Sequence, residues 1–237
     1  MLCNCISQVL KCLPEAVLNT LHTLTLHVNI DGIPLFNSSS VSLWPILGKV
    51  SELNCDPFVI ALYSGANKPK SATEFLDDFI KEMKSIELNG FLWCGRQYII
   101  ILDAVICDAP AHAFIKCIKG HSGYSSCERC VNEGEYIEGR MTFQQLDAKL
   151  RTNEDFHNMT GEDHHTGISP FTELLTIGCV TNFPLDYMHL VCLGVVCHTV
   201  MLWMSGPLSC QMSGTQVRHV SGELPRFRNH LPKAFSG

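Results

Sequence analysis

The strongest periodic signal lies at Leu21–Asp31, where L-H-T-L-T-L-H-V-N-I-D places an apolar residue at nearly every second position. Alternation of that kind predicts a strand with one buried face, ending at Asp31. Gly32–Ser40 reads as a turn. Val41–Val50 follows as a second strand, with Pro45 making it an edge strand or a bent one. Pro57–Ser64, rich in β-formers, predicts a third. From Ser71 to Leu88 the period becomes helical. Phe75, Phe79, Met83 and Ile86 share a face, and Ser71 with Glu74 makes a capping box. Tyr98–Cys107 is apolar enough for a central strand covered on both faces. It ends at Asp108, which with Pro110 predicts the start of a helix running through Lys119.

Beyond that helix the pattern weakens. Gly120–Gly178 is polar and Gly-rich and reads as an irregular insertion. Leu185–Met204 is nearly all apolar and about as long as a membrane span. It contains Asp186, His189 and His198, follows Pro184 and lacks a basic flank, so a buried helix is the preferred reading over a membrane segment. Gly206-Pro207 stops it, and Gln216–Phe227 predicts a weaker final helix. Three regions follow: a short N-terminal segment (1–20), a core (21–119) and an insertion region (120–237). The fold class is mixed α/β. Its order of strands, helix, strand and helix resembles an RNase H-like catalytic core, interrupted by an irregular, mostly helical insertion with a zinc-knuckle-like start.

Composition narrows the partners. The 237 residues are 46% hydrophobic and 17% charged, enough to bury a real core. The net charge of −6 argues against a strongly basic nucleic-acid surface, so DNA binding by this chain alone is expected to be weak. Thirteen cysteines without a recognisable secretory signal point to reduced thiols, in a nucleus or a cytoplasm.

Three constellations could carry chemistry. Asp31 and Asp108 each close an apolar run. Carboxylates at neighbouring strand ends suit two Mg²⁺ or Mn²⁺ ions in phosphoryl transfer; the alternative is a turn at Asp31-Gly32 and a helix cap at Asp108. Cys127 and Cys130 have the Cys-x-x-Cys spacing of half a tetrahedral Zn²⁺ site, or are two reduced thiols. His121, His157, His164, His165 and His189 could supply the missing ligands, though none follows at finger-like spacing. Asp186 and His189, three apart, would share a helical face, either meeting a metal or pairing with each other inside the core. His164-His165 reads as a solvated turn.

The stretches N-I-D-G-I-P-L-F, W-P-I-L-G, C-D-A-P-A-H-A-F-I-K-C-I-K-G-H-S-G-Y-S-S-C-E-R-C, E-G-E-Y-I-E-G-R-M-T-F and F-P-L-D-Y-M-H-L-V-C-L-G-V-V resemble animal transposase-domain proteins. Those are similar to CACTA (En/Spm)-type DDE transposases and, more distantly, to the Transib and V(D)J recombinase core. The resemblance runs from about Leu26 to about Phe235. It implies metal-dependent DNA cleavage and strand transfer, with Asp31 and Asp108 as the first two catalytic acids and ligands of Mg²⁺ or Mn²⁺. It also implies Cys127 and Cys130 as half of a structural Zn²⁺ site, and Asp186 with His189 as a motif supporting the active site. The family's paired histidines and third acid, a Glu, would follow further downstream. Glu223 lies too early for that role, and His219 and His230 are too far apart to be the pair. The chain is therefore expected to be incomplete and inactive by itself. DNA, a second copy of the chain and the nucleus are the expected partners and location, with no membrane. The alternative is a non-enzymatic, domesticated zinc-binding or protein-interaction module.

Overall fold

In the computed structural model, residues 1–35, 41–161 and 163–226 are described. The N-terminal segment is not a loose lead-in. Leu2–Lys11 forms helix α1, whose Leu2, Ile6 and Leu10 recur every fourth residue and are fully buried. A short helix α2 (Glu15–Leu18) leads to strand β1 (Thr23–Ile30). Leu24, Leu26, Val28 and Ile30 of β1 point into the core while the residues between them face outward, as the alternation requires.

Ile33–Pro34 makes a two-residue strand β2, so the expected turn over Gly32–Ser40 begins with sheet pairing; residues 36–40 lie outside the described residues. Strand β3 (Ser42–Val50) pairs antiparallel with both β1 and β4 (Phe58–Gly65). It is thus an interior strand, which corrects the edge reading of Pro45. The proline is tolerated because it lies between the pairings of Ile46 with Ile30 and of Leu43 with Ile33, where no ladder partner stands on that side. The ladder to β4 shifts register just after it, between Ile46 and Leu47, so the bent alternative is the one adopted.

Helix α3 (Ala72–Asn89) is capped by Ser71, whose hydroxyl accepts from the Glu74 N–H at 3.2 Å. Leu76, Phe79, Ile80, Met83 and Ile86 form its buried stripe. Strand β5 (Phe91–Trp93) turns into β6 (Arg96–Ile106), which runs parallel to β1. The sheet order is β2-β3-β1-β6-β5, with β4 on the outer side of β3. Helix α1 packs on β4 and α3, and α3 on β6. One face of β6 stays open, with Ile99 and Ile101 at 59% and 38% exposure. The both-faces expectation for this strand is corrected: an apolar run shows that burial is tolerated, and only packed elements supply it.

Helix α4 (Ala109–Ile115) is shorter than expected. It ends at Lys116, because Cys117 adopts a left-handed backbone with φ 52°. The following region is largely irregular. It holds a hairpin of β7 (Glu135–Ile137) and β8 (Arg140–Thr142), the short helix α5 (Asn153–His157) and a 3-10 turn at Pro170–Glu173. Two compact units divide the chain, Met1–Asp186 and Tyr187–Gly237.

In the second unit a π-helical stretch, Tyr187–Val196, continues into α6 (Cys197–Ser205), followed by α7 (Gly214–Glu223). None of the residues from Tyr187 to Ser205 is buried, which corrects the buried-helix reading. By length and composition alone the 19-residue stretch Tyr187–Ser205 is apolar enough to cross a membrane. The described part of its own unit offers α7, which itself buries no residue.

Candidate functional site

Strands β1 and β6 are parallel neighbours, with Asn29 opposite Ile106. Continued at the same register, Asp31 falls beside Asp108, both just beyond the C-terminal ends of their strands. That end of a parallel pair is where α/β sheets place ligand-handling groups. The Asp31 Oδ1 accepts the Gly32 N–H at 2.7 Å, and the Asp108 Oδ1 accepts the Ala111 N–H at 2.7 Å as the cap of α4. A side chain at Gly32 would meet the Trp44 ring at 2.8 Å, so the residue after Asp31 is held to glycine by packing.

Cys107, the residue before Asp108, is buried, its thiol pushed well above its usual range by burial, with the charges of Asp108, Asp31 and Glu128 adding to the effect. Glu128 is thus a third carboxylate in the neighbourhood, but it is already committed. The Lys116 ammonium donates to its Oε2 at 2.7 Å, and His112 Nδ1 lies 3.3 Å from the same oxygen. Lys116 and His112 are each only 1% exposed. Burial alone would raise the Glu128 carboxyl, but the His112 hydrogen bond and the Lys116 charge outweigh it and hold the group at about 2. The ammonium also sits 5.5 Å from the Phe156 ring centre and 5.4 Å from that of Phe183. This triad ties α4, and with it Asp108, to the Cys127–Cys130 loop.

The two thiols of that loop are 3.2 Å apart, and the Cys130 N–H points at the Cys127 sulfur at 3.4 Å. Behind them the Arg151 Nε donates to the carbonyls of Cys127 and Cys130 at 3.0 and 3.1 Å. Among the described residues no three His, Cys, Asp or Glu side chains converge on a point that could hold a metal. The described residues alone therefore make neither a closed zinc site nor a complete two-metal site. His164 is not in a solvated turn as expected. It is 1% exposed, and its Nδ1–H donates to the Ser125 carbonyl at 2.7 Å. Burial lowers its pKa to about 4. His165 packs edge-on against Phe156, with ring centres 4.8 Å apart.

Asp186 precedes the π-helix, and His189, inside it, is exposed. The two residues thus stand on either side of the start of a π-helical stretch, not within one α-helix. On the open sheet face, His27 Nε2 lies 3.1 Å from the Asp103 carboxylate, and the Ser51 hydroxyl is 3.3 Å from both ring nitrogens. A nucleophile needs one nitrogen in line as base while the carboxylate holds the other. Equal distances deny that, so the trio is a surface hydrogen-bond cluster.

The sequence reading did not single out Lys116, Glu128, His112 or Arg151. One signal was present: His112 and Lys116 are four residues apart on a helix that also carries Ala111 and Ile115 inward. Comparison with family profiles, with characterised proteins and with solved structures returned no match to this chain.

Proposed function

We propose that this chain carries part of a metal-dependent nucleic-acid phosphoryl-transfer core of the DDE transposase kind, acting on DNA in the nucleus. The observation that carries the proposal is the parallel register of β1 with β6, Asn29 opposite Ile106, which continued by two residues sets Asp31 against Asp108. The topology supports it too. Three antiparallel strands (β1, β3, β4), a helix, a strand parallel to β1 and a second helix follow the order of an RNase H-like core, with the sheet running β4-β3-β1-β6. In that reading Asp31 and Asp108 would hold a divalent cation, Mg²⁺ or Mn²⁺, whose role is to activate an attacking oxygen and neutralise a leaving one. The chain's own part is to fix both carboxylates rigidly, through strand pairing and the Asp108 cap.

With only two acids at these strand ends among the described residues, cleavage by this chain alone is expected to be slow. Metal binding is therefore the first readout. Titration of Mn²⁺, followed by the loss of its free-ion paramagnetic resonance signal, should show uptake that Asp31→Asn and Asp108→Asn each weaken. Binding unchanged in both variants would return the two aspartates to turn and cap duties and favour a non-enzymatic module. Robust nicking of supercoiled DNA that Asp31→Asn abolishes would overturn the expectation of slow cleavage.

A further inference from the structure

Pro110, Ala113 and Phe114 of α4, just along the helix from Asp108, face a hollow. A cavity of about 630 Å³ opens there, between the start of α4 at Pro110 and the N-terminal turn of α3. None of the residues lining it is acidic, in a chain with 23 acids and a net charge of −6. Exposed Lys68 and Lys70 line one wall, and His121 and Ser122 stand among the other lining groups. Among the described residues, ion pairs hold Lys81, Lys84, Lys116, Lys119 and Lys149, but neither Lys68 nor Lys70. The Lys68 ammonium instead rests 5.5 Å from the centre of the Phe114 ring. A lysine so placed keeps its charge available to an incoming anion.

The cavity is not closed on itself. A second hollow of about 230 Å³ shares Lys70 and Ser71 with it and is lined also by Tyr63, Phe75 and one acid, Glu74. Two hollows sharing a basic junction make an elongated track, which suits a polymer better than a small ion.

We infer that this track is a binding groove for the phosphodiester backbone of a nucleic acid, with Lys68 and Lys70 as its phosphate contacts. It rests on the reading of Asp31 and Asp108 as part of a nucleic-acid enzyme and supplies what the net charge withholds, a local cationic path leading to α4. Contacts to phosphates carry no base information, so the groove positions DNA without selecting sequence.

The test is the binding of a fluorescent duplex oligonucleotide to the 237-residue chain, read by anisotropy across a salt series. Each phosphate contact contributes close to one unit to the slope of log affinity against log salt, so Lys68→Gln with Lys70→Gln should flatten the slope by about two. Duplexes of unrelated sequence should be affected alike. Lys81→Gln with Lys84→Gln removes the same charge from paired lysines outside the groove and should leave the slope nearly unchanged. Near-ultraviolet circular dichroism checks that both double variants are folded. Equal losses in the two variants, no loss in the first, or no duplex binding by the parent chain would each overturn the groove. So would competition by polyglutamate as strong as by duplex, which would make the partner an acidic protein. The Mn²⁺ titration reads the acidic pair separately. A normal metal response with an unaltered salt slope sinks the groove alone, and the converse sinks the catalytic reading alone.

Discussion

Lys116, Glu128 and His112 show how much a few side chains can decide here. A buried ammonium survives only because a carboxylate and two aromatic rings face it. Removing the carboxylate leaves that charge unpaired, a loss of about 3–5 kcal/mol for buried pairs. Glu128→Gln should therefore lower the urea midpoint sharply, whereas Glu128→Gln combined with Lys116→Met should recover much of the loss. Full stability in the single variant would show the pair to be solvated. His164 makes a pH prediction. Its folded value of about 4 lies below the ordinary histidine value of about 6.5, so protons favour the unfolded chain. Its contribution is complete above pH ~6.5 and is lost as the pH falls through about 4. Midpoints measured from pH 7 to pH 4 should fall, and His164→Phe should flatten that decline. An equal decline in the variant would assign the acid sensitivity elsewhere.

At the scale of elements, the strands were legible where alternation was strong. Thr23–Ile30 and Phe58–Gly65 fall within two residues of the reading because one face of each meets helices. Helix α1 went unread, because its stripe of Leu2, Ile6 and Leu10 is short and interrupted by cysteines. What could not be read was coverage. The open face of β6 and the exposure of Tyr187–Ser205 depend on which elements arrive, and hydropathy reports only what would be tolerated. The site divides in the same way. Asp31 and Asp108 were visible as strand ends, but their adjacency needed the parallel pairing of β1 with β6. The Asp108 cap allows its two roles to be separated. Asparagine caps helices about as well as aspartate, while alanine costs ~1 kcal/mol. Asp108→Asn should thus lose Mn²⁺ binding with near-parental stability, and Asp108→Ala should lose both. Parental Mn²⁺ binding in the asparagine variant would leave the cap as the residue's whole function.

For the whole molecule, the distribution of buried residues sets the expectation. Among the described residues, every member of the hydrophobic core lies between Leu2 and Phe183, inside the unit Met1–Asp186. The loops between α4 and Asp186 are fastened to that core and not appended to it. Asn182 donates to the Asp103 carbonyl at 2.7 Å, Arg129 donates to the carbonyls of Val180 and Phe183, and the Ser169 hydroxyl donates to the Ile115 carbonyl at 2.9 Å. Tyr187–Ser205, in contrast, presents Leu193, Val195, Met201 and Trp203 at 61%, 59%, 58% and 45% exposure. Continuous apolar surface of that kind promotes association. Residues 1–186 expressed alone should therefore fold cooperatively, with a melting temperature within a few degrees of the parent. They should also stay monomeric at concentrations where the parent associates, and retain the Mn²⁺ response and the salt-dependent duplex binding. Scanning calorimetry with light scattering reads the first two properties. A shortened chain without a cooperative transition would mean that the second unit completes the core. Lost Mn²⁺ uptake in a folded shortened chain would instead place a needed metal ligand beyond Asp186, and duplex binding, read alongside, would show whether the groove survives that loss.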